Sequence, residues 1–592
     1  MVPRPRSHSR ARGSAHAVAT ALALTLGACQ PLADEAPRAP ALTGSSSARA
    51  TTGAPALVVV IVVDQMRADV LDRFASTWPS DQGFRWLTRA GVRFENAFVG
   101  HAITETAPGH ASIATGVHPA RHGVVLDQWL DRERARETNA GEDPDVMLVG
   151  PEVNGRRPGR SSKQLQRTSV GDWLKNEDPR SRVYAVAPEA RASVMLGGLR
   201  PDGVFWYDRA GAFVTSSYYA AFPEDLGPFF YDDCGDLTAP LREGSVGAWT
   251  QLADPAVYER LLGPDAVAQE VFGRKSVFPY RLFRRRGRLR DGELAAYHEQ
   301  LPNTPFADQY AAALVEQLIT VNHLGEDQSP DLLLVGFSGG DTIGHAFGPD
   351  SHELLDFYLR LDGFLADIHG LLDARVGPGR YAVVLTSDHG VMSMPERLQQ
   401  QGVAAQRKAQ RVTRAVFEED VRAVVGHALE RLQLPTSALR HIGPSGVWLE
   451  LPRTRAPGLD DATVQRAVAR ALTTIPYVAD AYTASELADD RRTPNGARPW
   501  LVEYRRSFFR GRSPDVQLRF APWSMVGGEG WGAEHGSPYA HDTHVPLIIV
   551  APELAPGRRA DRVFTVDVAP TVAQLLEIPT PGDLDGRPLL SR

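Results

Sequence analysis

The run Leu57–Val63, LVVVIVV, constrains this chain more than any other segment. An unbroken apolar stretch rich in β-branched residues does not suit a sheet with one wet face, where side chains alternate between core and water. It reads as a strand covered on both faces, which calls for helices above and below a parallel sheet. Similar buried runs return at Leu332–Val335, Val383–Leu385 and Leu547–Val550, separated by helical patterns such as Ser351–Leu372. The expected fold is therefore α/β, a three-layer sandwich around a mostly parallel central sheet. Between about 396 and 515 the composition becomes charged and helix-forming (Ala404–Leu432, Ala462–Thr473) with short strands such as Val447–Leu451, which predicts an inserted α+β cap. Residues from about 200 to 300, rich in aromatics and glycine, predict a second insertion. The core then comprises 56–395 and 516–592.

The amino end differs from all of this. Arg4, Arg6, Arg10 and Arg12 occur without an acidic residue, and Ala17–Ala28 is uncharged, small and apolar, the pattern of an export signal and too short to span a bilayer stably. The run ends Leu26-Gly27-Ala28-Cys29, which resembles the bacterial lipoprotein box, where the cysteine is acylated and becomes the first residue. The expectation is a signal at 1–28, a flexible Ala/Pro/Ser/Thr tether at 29–55, and a periplasmic or membrane-anchored lipoprotein; Gln30 after the cysteine points to the outer membrane. With 64 basic and 71 acidic residues the formal charge is −7, and losing the four signal arginines takes it to −11, which argues against a nucleic-acid partner. Two cysteines, Cys29 and Cys234, exclude a disulfide scaffold.

Polar clusters follow the buried strands, where ligands bind in open α/β sheets. Asp64 follows the first strand, Asp341-Thr342-Ile343-Gly344-His345 the Leu332 strand, and Asp388-His389-Gly390 the Val383 strand. Thr106-Ala107-Pro108-Gly109-His110 opens a helix, and His535-Gly536-Ser537-Pro538-Tyr539 precedes the Leu547 strand. Singly, each reads equally well as a helix cap, a tight loop or a structural histidine. Together they supply carboxylates, imidazoles and a hydroxyl in the numbers that two zinc ions need, about three protein ligands per metal with open positions for substrate.

The same residues carry a family resemblance. Val62-Val63-Asp64-Gln65-Met66-Arg67, Glu95–Val125, Asp331–Glu353, Leu385–Val391, His535–Pro546 and Asp567–Leu589 resemble the alkaline phosphatase superfamily, most closely its exported threonine-nucleophile alkaline phosphatases, with type I phosphodiesterase/nucleotide pyrophosphatases as nearest relatives. The resemblance implies a hydrolase of small phosphate esters. It implies one zinc held by Asp64, Thr106, Asp388 and His389 and a second by Asp341, His345 and His535, with His544 as a less favoured substitute for His535. It implies Thr106 as nucleophile, since Thr106 and not Thr104 stands two residues before Pro108.

Two positions depart from the family pattern. An asparagine is replaced by Asp127, and the lysine of a Lys-x-Arg motif by Glu189, while Arg191 is kept. Ionised carboxylates only accept hydrogen bonds, so Asp127 and Glu189 predict either a less charged substrate such as a diester or a third divalent cation between them. A sulfatase is disfavoured because Thr106 stands where formylglycine would arise from Cys or Ser. A phosphoglycerate mutase is disfavoured by the export signal, and a non-catalytic surface lipoprotein by the intact ligand set. Arg284–Arg288 forms a basic patch, and Trp129 and Phe205-Trp206-Tyr207 are either core residues or a pocket wall. The lipoprotein expectation is checked by mass spectrometry of the mature amino terminus: an acylated Cys29 is expected, and an unmodified terminus beyond it overturns the assignment.

Overall fold

The computed structural model describes residues 53–590 apart from 151–155, 210, 220–247, 268–269, 271–275, 283–290, 401–407, 490–497, 528–531 and 553. The export signal, Cys29, the tether as far as residue 52, Cys234 and the Arg284–Arg288 patch lie outside the described residues.

Eleven strands form the central sheet: β1 (Leu57–Val63), β2 (Val92–Phe98), β3 (Glu142–Val149), β4 (Pro158–Arg160), β5 (Val183–Ala187), β6 (Gly203–Asp208), β7 (Ala212–Ser216), β8 (Asp331–Phe337), β9 (Tyr381–Thr386), β10 (Leu547–Val550) and β11 (Gly557–Phe564). Their order is β11-β2-β10-β9-β1-β8-β5-β6-β7-β3-β4. The sheet is parallel through its centre, from β9 through β1, β8 and β5 to β6, and again at one edge, where β2 pairs with β11. β10 runs antiparallel to both β9 and β2, and β7 and β3 extend the far side antiparallel. The expectation of a mostly parallel sheet thus holds for the strands that position the site. An apolar run such as Leu547–Val550 shows that both faces are covered but not the strand's direction, which is why β10 was legible as buried and not as antiparallel.

β1 shows why the layers form. Leu57, Val59, Ile61 and Val63 enter one apolar core with α3 (Phe306–Val321) and α5 (His352–Arg375). Val58, Val60 and Val62 enter another with α1 (Thr106–Thr115), α2 (Ala190–Gly197) and α6 (Val568–Leu575). The two-residue alternation of a strand sends successive side chains to opposite faces, and each buried valine or leucine contributes about 1.5–3 kcal/mol. α4 (Gly339–Phe347) follows β8 directly and precedes α5, whose first turn is capped by Ser351 accepting from Leu354 N at 3.1 Å.

A separate core lies in residues 410–527. Helices Arg414–Arg431 and Asp461–Leu472 pack Phe417, Val421, Val425, Leu429, Val464 and Val468 against an antiparallel sheet ordered Leu439–Gly443, Gly446–Leu449, Val516–Phe520, Val478–Thr483. One carboxylate of α5 gathers several groups of the segment from 248 to 262. Buried Asp356 accepts from Trp249 Nε1 (2.6 Å), Leu252 N (2.6 Å), Tyr258 OH (2.7 Å) and Arg360 Nε (2.7 Å). Trp129, Phe205, Trp206 and Tyr207 are all buried among core residues, so they pack the fold and do not wall a pocket. No helix among the described residues is long and apolar enough to cross a membrane.

Removing the Asp356 carboxylate leaves the buried Trp249 indole N–H and Tyr258 hydroxyl without their acceptor. Asp356→Ala is expected to cost about 3–5 kcal/mol, measured by denaturant unfolding, and to open residues 248–262 to limited proteolysis before the rest of the chain.

Candidate active site

β1, β8 and β9 are parallel neighbours in matched register, with Val63 opposite Phe337 and Val62 opposite Thr386. Their carboxyl ends therefore deliver Asp64, Asp341 and Asp388 to one place. Ser387 Oγ accepts from Met66 N at 3.0 Å, tying the loop after β9 to the loop after β1. α1 comes from the β2 side of the sheet and presents Thr106 as its first residue. A Cβ at Gly109 would lie 2.7 Å from Asp388 Cβ, so glycine is what lets α1 approach the strand-end carboxylate.

The imidazoles complete two clusters. His389 Nε2 lies 3.4 Å from Asp388 Oδ2 and 3.6 Å from Asp64 Oδ1. His345 Nε2 lies 3.3 Å from Asp341 Oδ1 and 3.2 Å from His535 Nε2, which is itself 3.4 Å from Asp341 Oδ1. His389 and His535 stack with ring centroids 3.9 Å apart, joining the clusters. Donor atoms of Asp64, His110 and Asp388 also converge within 4.8 Å, as do those of Asp341, His389 and His535. Asp64 Oδ1 and His389 Nε2 are buried with no hydrogen-bond partner. Buried polar atoms without partners are rare in folded proteins. Here they are carboxylate and imidazole donors facing one another, which fits a pair of divalent cations.

The charges tell the same story. Burial, then the neighbouring Asp388 and Asp341, push the Asp64 carboxyl well up. Burial would also raise Asp341, but His345 and His535 pull it well below the usual carboxylate range. Against burial, Asp341 raises His345 well above its ordinary value and His535 to about 9. Burial lowers His389 to about 4. Carboxylates repelling at one end and protonated imidazoles at the other describe a site poised to exchange protons for metal.

Several supporting residues escape a motif-based reading. Gln65, at φ 65°, donates its backbone N to Asp388 (3.2 Å) and its amide to Asp341 (2.6 Å), bridging the two clusters. Gly344 leaves room for that amide, since a Cβ there would collide with Gln65 Oε1. His110 Nδ1 lies 2.9 Å from Thr106 O and 3.1 Å from Asp388 Oδ2, linking the first turn of α1 to the strand-end carboxylate. Gln65 and His110 both stand inside the motifs that carry the resemblance, but neither is given a role there.

The alternatives resolve by contact. Thr104 Oγ1 donates to Ser537 O (3.1 Å) and accepts from Gly536 N (3.1 Å), so its hydroxyl is engaged in holding the His535 loop. His544 stacks on Phe98 at 4.7 Å, with its Nε2 2.8 Å from Glu95 O, away from both clusters. Asp127 Oδ1 caps Ala107 N (2.8 Å), and its Oδ2 accepts from Arg191 at 2.5 Å, while Arg191 Nε donates to Glu189 at 3.1 Å. The positive charge between Asp127 and Glu189 in this structure is the Arg191 guanidinium. Burial would raise Glu189, but Arg191 draws it below its ordinary value. Glu105, which accepts from Asp127 N at 2.6 Å, is pushed to about 8 by burial and by Asp127.

Thr106 shares a cavity of about 1290 Å³ with Asp64, Asp341, His345, His535 and Arg191. An α/β core with paired nitrogen-and-carboxylate clusters and a helix-terminal hydroxyl is the arrangement of a metal-dependent phosphoryl-transfer enzyme. The model of the type I phosphodiesterase/nucleotide pyrophosphatase family matches residues 58–507, and the chain belongs to that family. It is a phosphoric ester hydrolase of the alkaline phosphatase superfamily. It is 28% identical over 543 residues to alkaline phosphatase PafA of Elizabethkingia meningoseptica, covering 90% of this chain and 94% of that one. It is 30% identical over 556 residues to alkaline phosphatase PhoK of a Sphingomonas species, covering 90% of each. The crystal structure of PafA superposes with a TM-score of 0.78 at 27% identity, over 90% of this chain and 98% of that one.

A buried carboxyl held above its unfolded value favours the fold at low pH, and that stabilisation is lost as pH rises through the folded value. Asp64→Asn is therefore expected to raise the Tm of the chelated protein at neutral pH by roughly 2–4 °C. With divalent metal present the order should reverse, because the variant loses a ligand; thermal unfolding with and without chelator reads both.

Proposed function

We propose that this chain is an exported, zinc-dependent phosphomonoesterase that works through a phosphothreonine on Thr106. The observation carrying the reading is that Thr106 opens α1 in the same cavity as both donor clusters. Asp64, Asp388 and His389, with Thr106, would hold one metal, and Asp341, His345 and His535 the other. The donor set, nitrogen and carboxylate without thiolate, favours zinc, and the relatives named alkaline phosphatases favour the monoester reaction. When bound, the metals supply positive charge that lowers the pKa of a coordinated hydroxyl and stabilises oxyanions.

The chain's own residues set the geometry of the reaction. The amino end of α1 favours negative charge on the Thr106 oxygen and on the phosphoryl group. Thr106 Oγ attacks phosphorus in line, the new O–P bond forming as the ester P–O bond breaks, and the alcohol leaves. A water then attacks the phosphothreonine from the vacated side, so two inversions give net retention. Arg191 is the cation placed for the phosphoryl oxygens, and Asp127 and Glu189 orient it.

A second reading, a phosphodiesterase, is favoured by that same triad. Arg191 carries one positive charge between two carboxylates. At an effective dielectric near 20, each unit charge at ~4 Å is worth about 4 kcal/mol before screening. The cradle is then net repulsive toward a dianionic monoester and less so toward a monoanionic diester. The export and Cys29 lipid-anchor readings complete the proposal.

Thr106→Ala is expected to abolish the acid-stable phosphoprotein detected by mass spectrometry and to lower kcat on the order of 10³-fold; near-native turnover overturns the nucleophile assignment. Comparing kcat/KM on an aryl phosphate and its methyl diester decides between the two readings, a hundredfold diester preference replacing the first with the second.

A further inference from the structure

The cavity is far larger than a phosphoryl group needs, and one of its walls is aromatic. Ala521-Pro522-Trp523-Ser524 is a tight turn in which Ser524 N donates to Ala521 O at 3.0 Å. Proline takes its second position and Trp523, at φ 65°, its third. Glycine or asparagine normally fills a third position of positive φ, because a Cβ is crowded there. A bulky indole kept in this conformation calls for a reason, and strained residues of this kind cluster at functional sites.

Trp523 is fixed from several sides. Its carbonyl accepts from Gln410 N at 3.0 Å, and its ring packs against the cluster of Met392, Leu398, Ala409 and Met525. His541 lies beside the indole, with centroids 5.1 Å apart and planes tilted by 34°, and Tyr539 lies 5.7 Å beyond His541. Burial keeps His541 neutral, holding it down to about 3, so the backing ring brings no charge. This wall is linked to the catalytic loops: Gly390 N, next to His389, donates to Asp542 O at 2.7 Å, and His541 Nε2 lies 3.3 Å from Ser537 Oγ, two residues after His535. Trp523 remains half-buried and lines the cavity that holds Thr106.

We propose that Trp523, backed by His541, is the platform on which the leaving group of the ester stacks, so that the site selects phosphate esters of alcohols carrying an aromatic ring, aryl or nucleoside. This rests on the phosphate-ester reading of the same site. An aromatic ring that lines the cavity gives stacking that tolerates different ring systems, and the contacts of Trp523 with the apolar cluster and His541 hold it in the wall of the cavity that Thr106 also lines.

Two variants separate the indole from the backbone. Trp523→Gly relieves the left-handed conformation while removing the ring, and Trp523→Phe keeps an aromatic face. Relative to wild type, the ratio of kcat/KM on phenyl phosphate to kcat/KM on methyl phosphate is expected to fall about tenfold in Trp523→Gly and to be largely restored in Trp523→Phe. In calorimetry on metal-loaded protein, adenosine 5′-monophosphate is expected to bind more tightly than inorganic phosphate, and Trp523→Gly to remove that difference. An unchanged ratio in Trp523→Gly, or a wild type that binds the nucleotide no more tightly than phosphate, overturns the platform. A wild type that hydrolyses neither ester yet loses its nucleotide preference in Trp523→Gly overturns the hydrolase reading and leaves the platform standing.

Discussion

Three carboxylates at the ends of neighbouring parallel strands are the constraint on which this molecule is organised. Asp64 and Asp388 are fully buried side by side, the Asp388 charge raises the cost of ionising Asp64, and Asp64 Oδ1 has no hydrogen-bond partner. A fold tolerates this arrangement where a cation offsets it. Around it, the Gln65 amide, the Ser387 hydroxyl and the His110 ring hold the carboxylates in place. The parallel register of β1, β8 and β9 makes the convergence a consequence of sheet geometry.

The Arg191 cluster is built on a different balance. Arg191 is engaged on both sides, by Asp127 and by Glu189, and Asp127 in turn caps the first turn of α1. The same contacts that fix the guanidinium also cancel its charge. Where a neutral amide and a lysine would add attraction for a dianion, two acceptor-only groups add rigidity and repulsion.

The smaller core of residues 410–527 gives the enzyme its outer wall. Its strand Val516–Phe520 and the turn that follows bring Phe520, Trp523 and Met525 to the cavity, while Arg414 and His441 arrive from elsewhere in the same unit. The floor of the site comes from the central sheet and part of its wall from residues 410–527, so separate parts of the chain line one cavity. That division is a common route by which one α/β core serves several substrates.

The sequence alone determined the buried strands, the helices over both faces, and the placement of Asp64, Asp341, His345, Asp388 and His389 after strand ends, because apolar runs and strand-end polar residues are local signals. Ordered motifs around Thr106 were enough to point to the superfamily. It did not determine the antiparallel direction of β10, since burial on two faces looks alike in either direction. Nor did it separate Thr104 from Thr106 by contact, dismiss His544, or show that Arg191 fills the space between Asp127 and Glu189, because each depends on side chains distant in sequence meeting in space. The bridge from Gln65 to both clusters and the strained turn of Trp523 were likewise decided only by tertiary structure: a hydrogen bond across 276 residues and a positive φ at a tryptophan leave no local pattern to read.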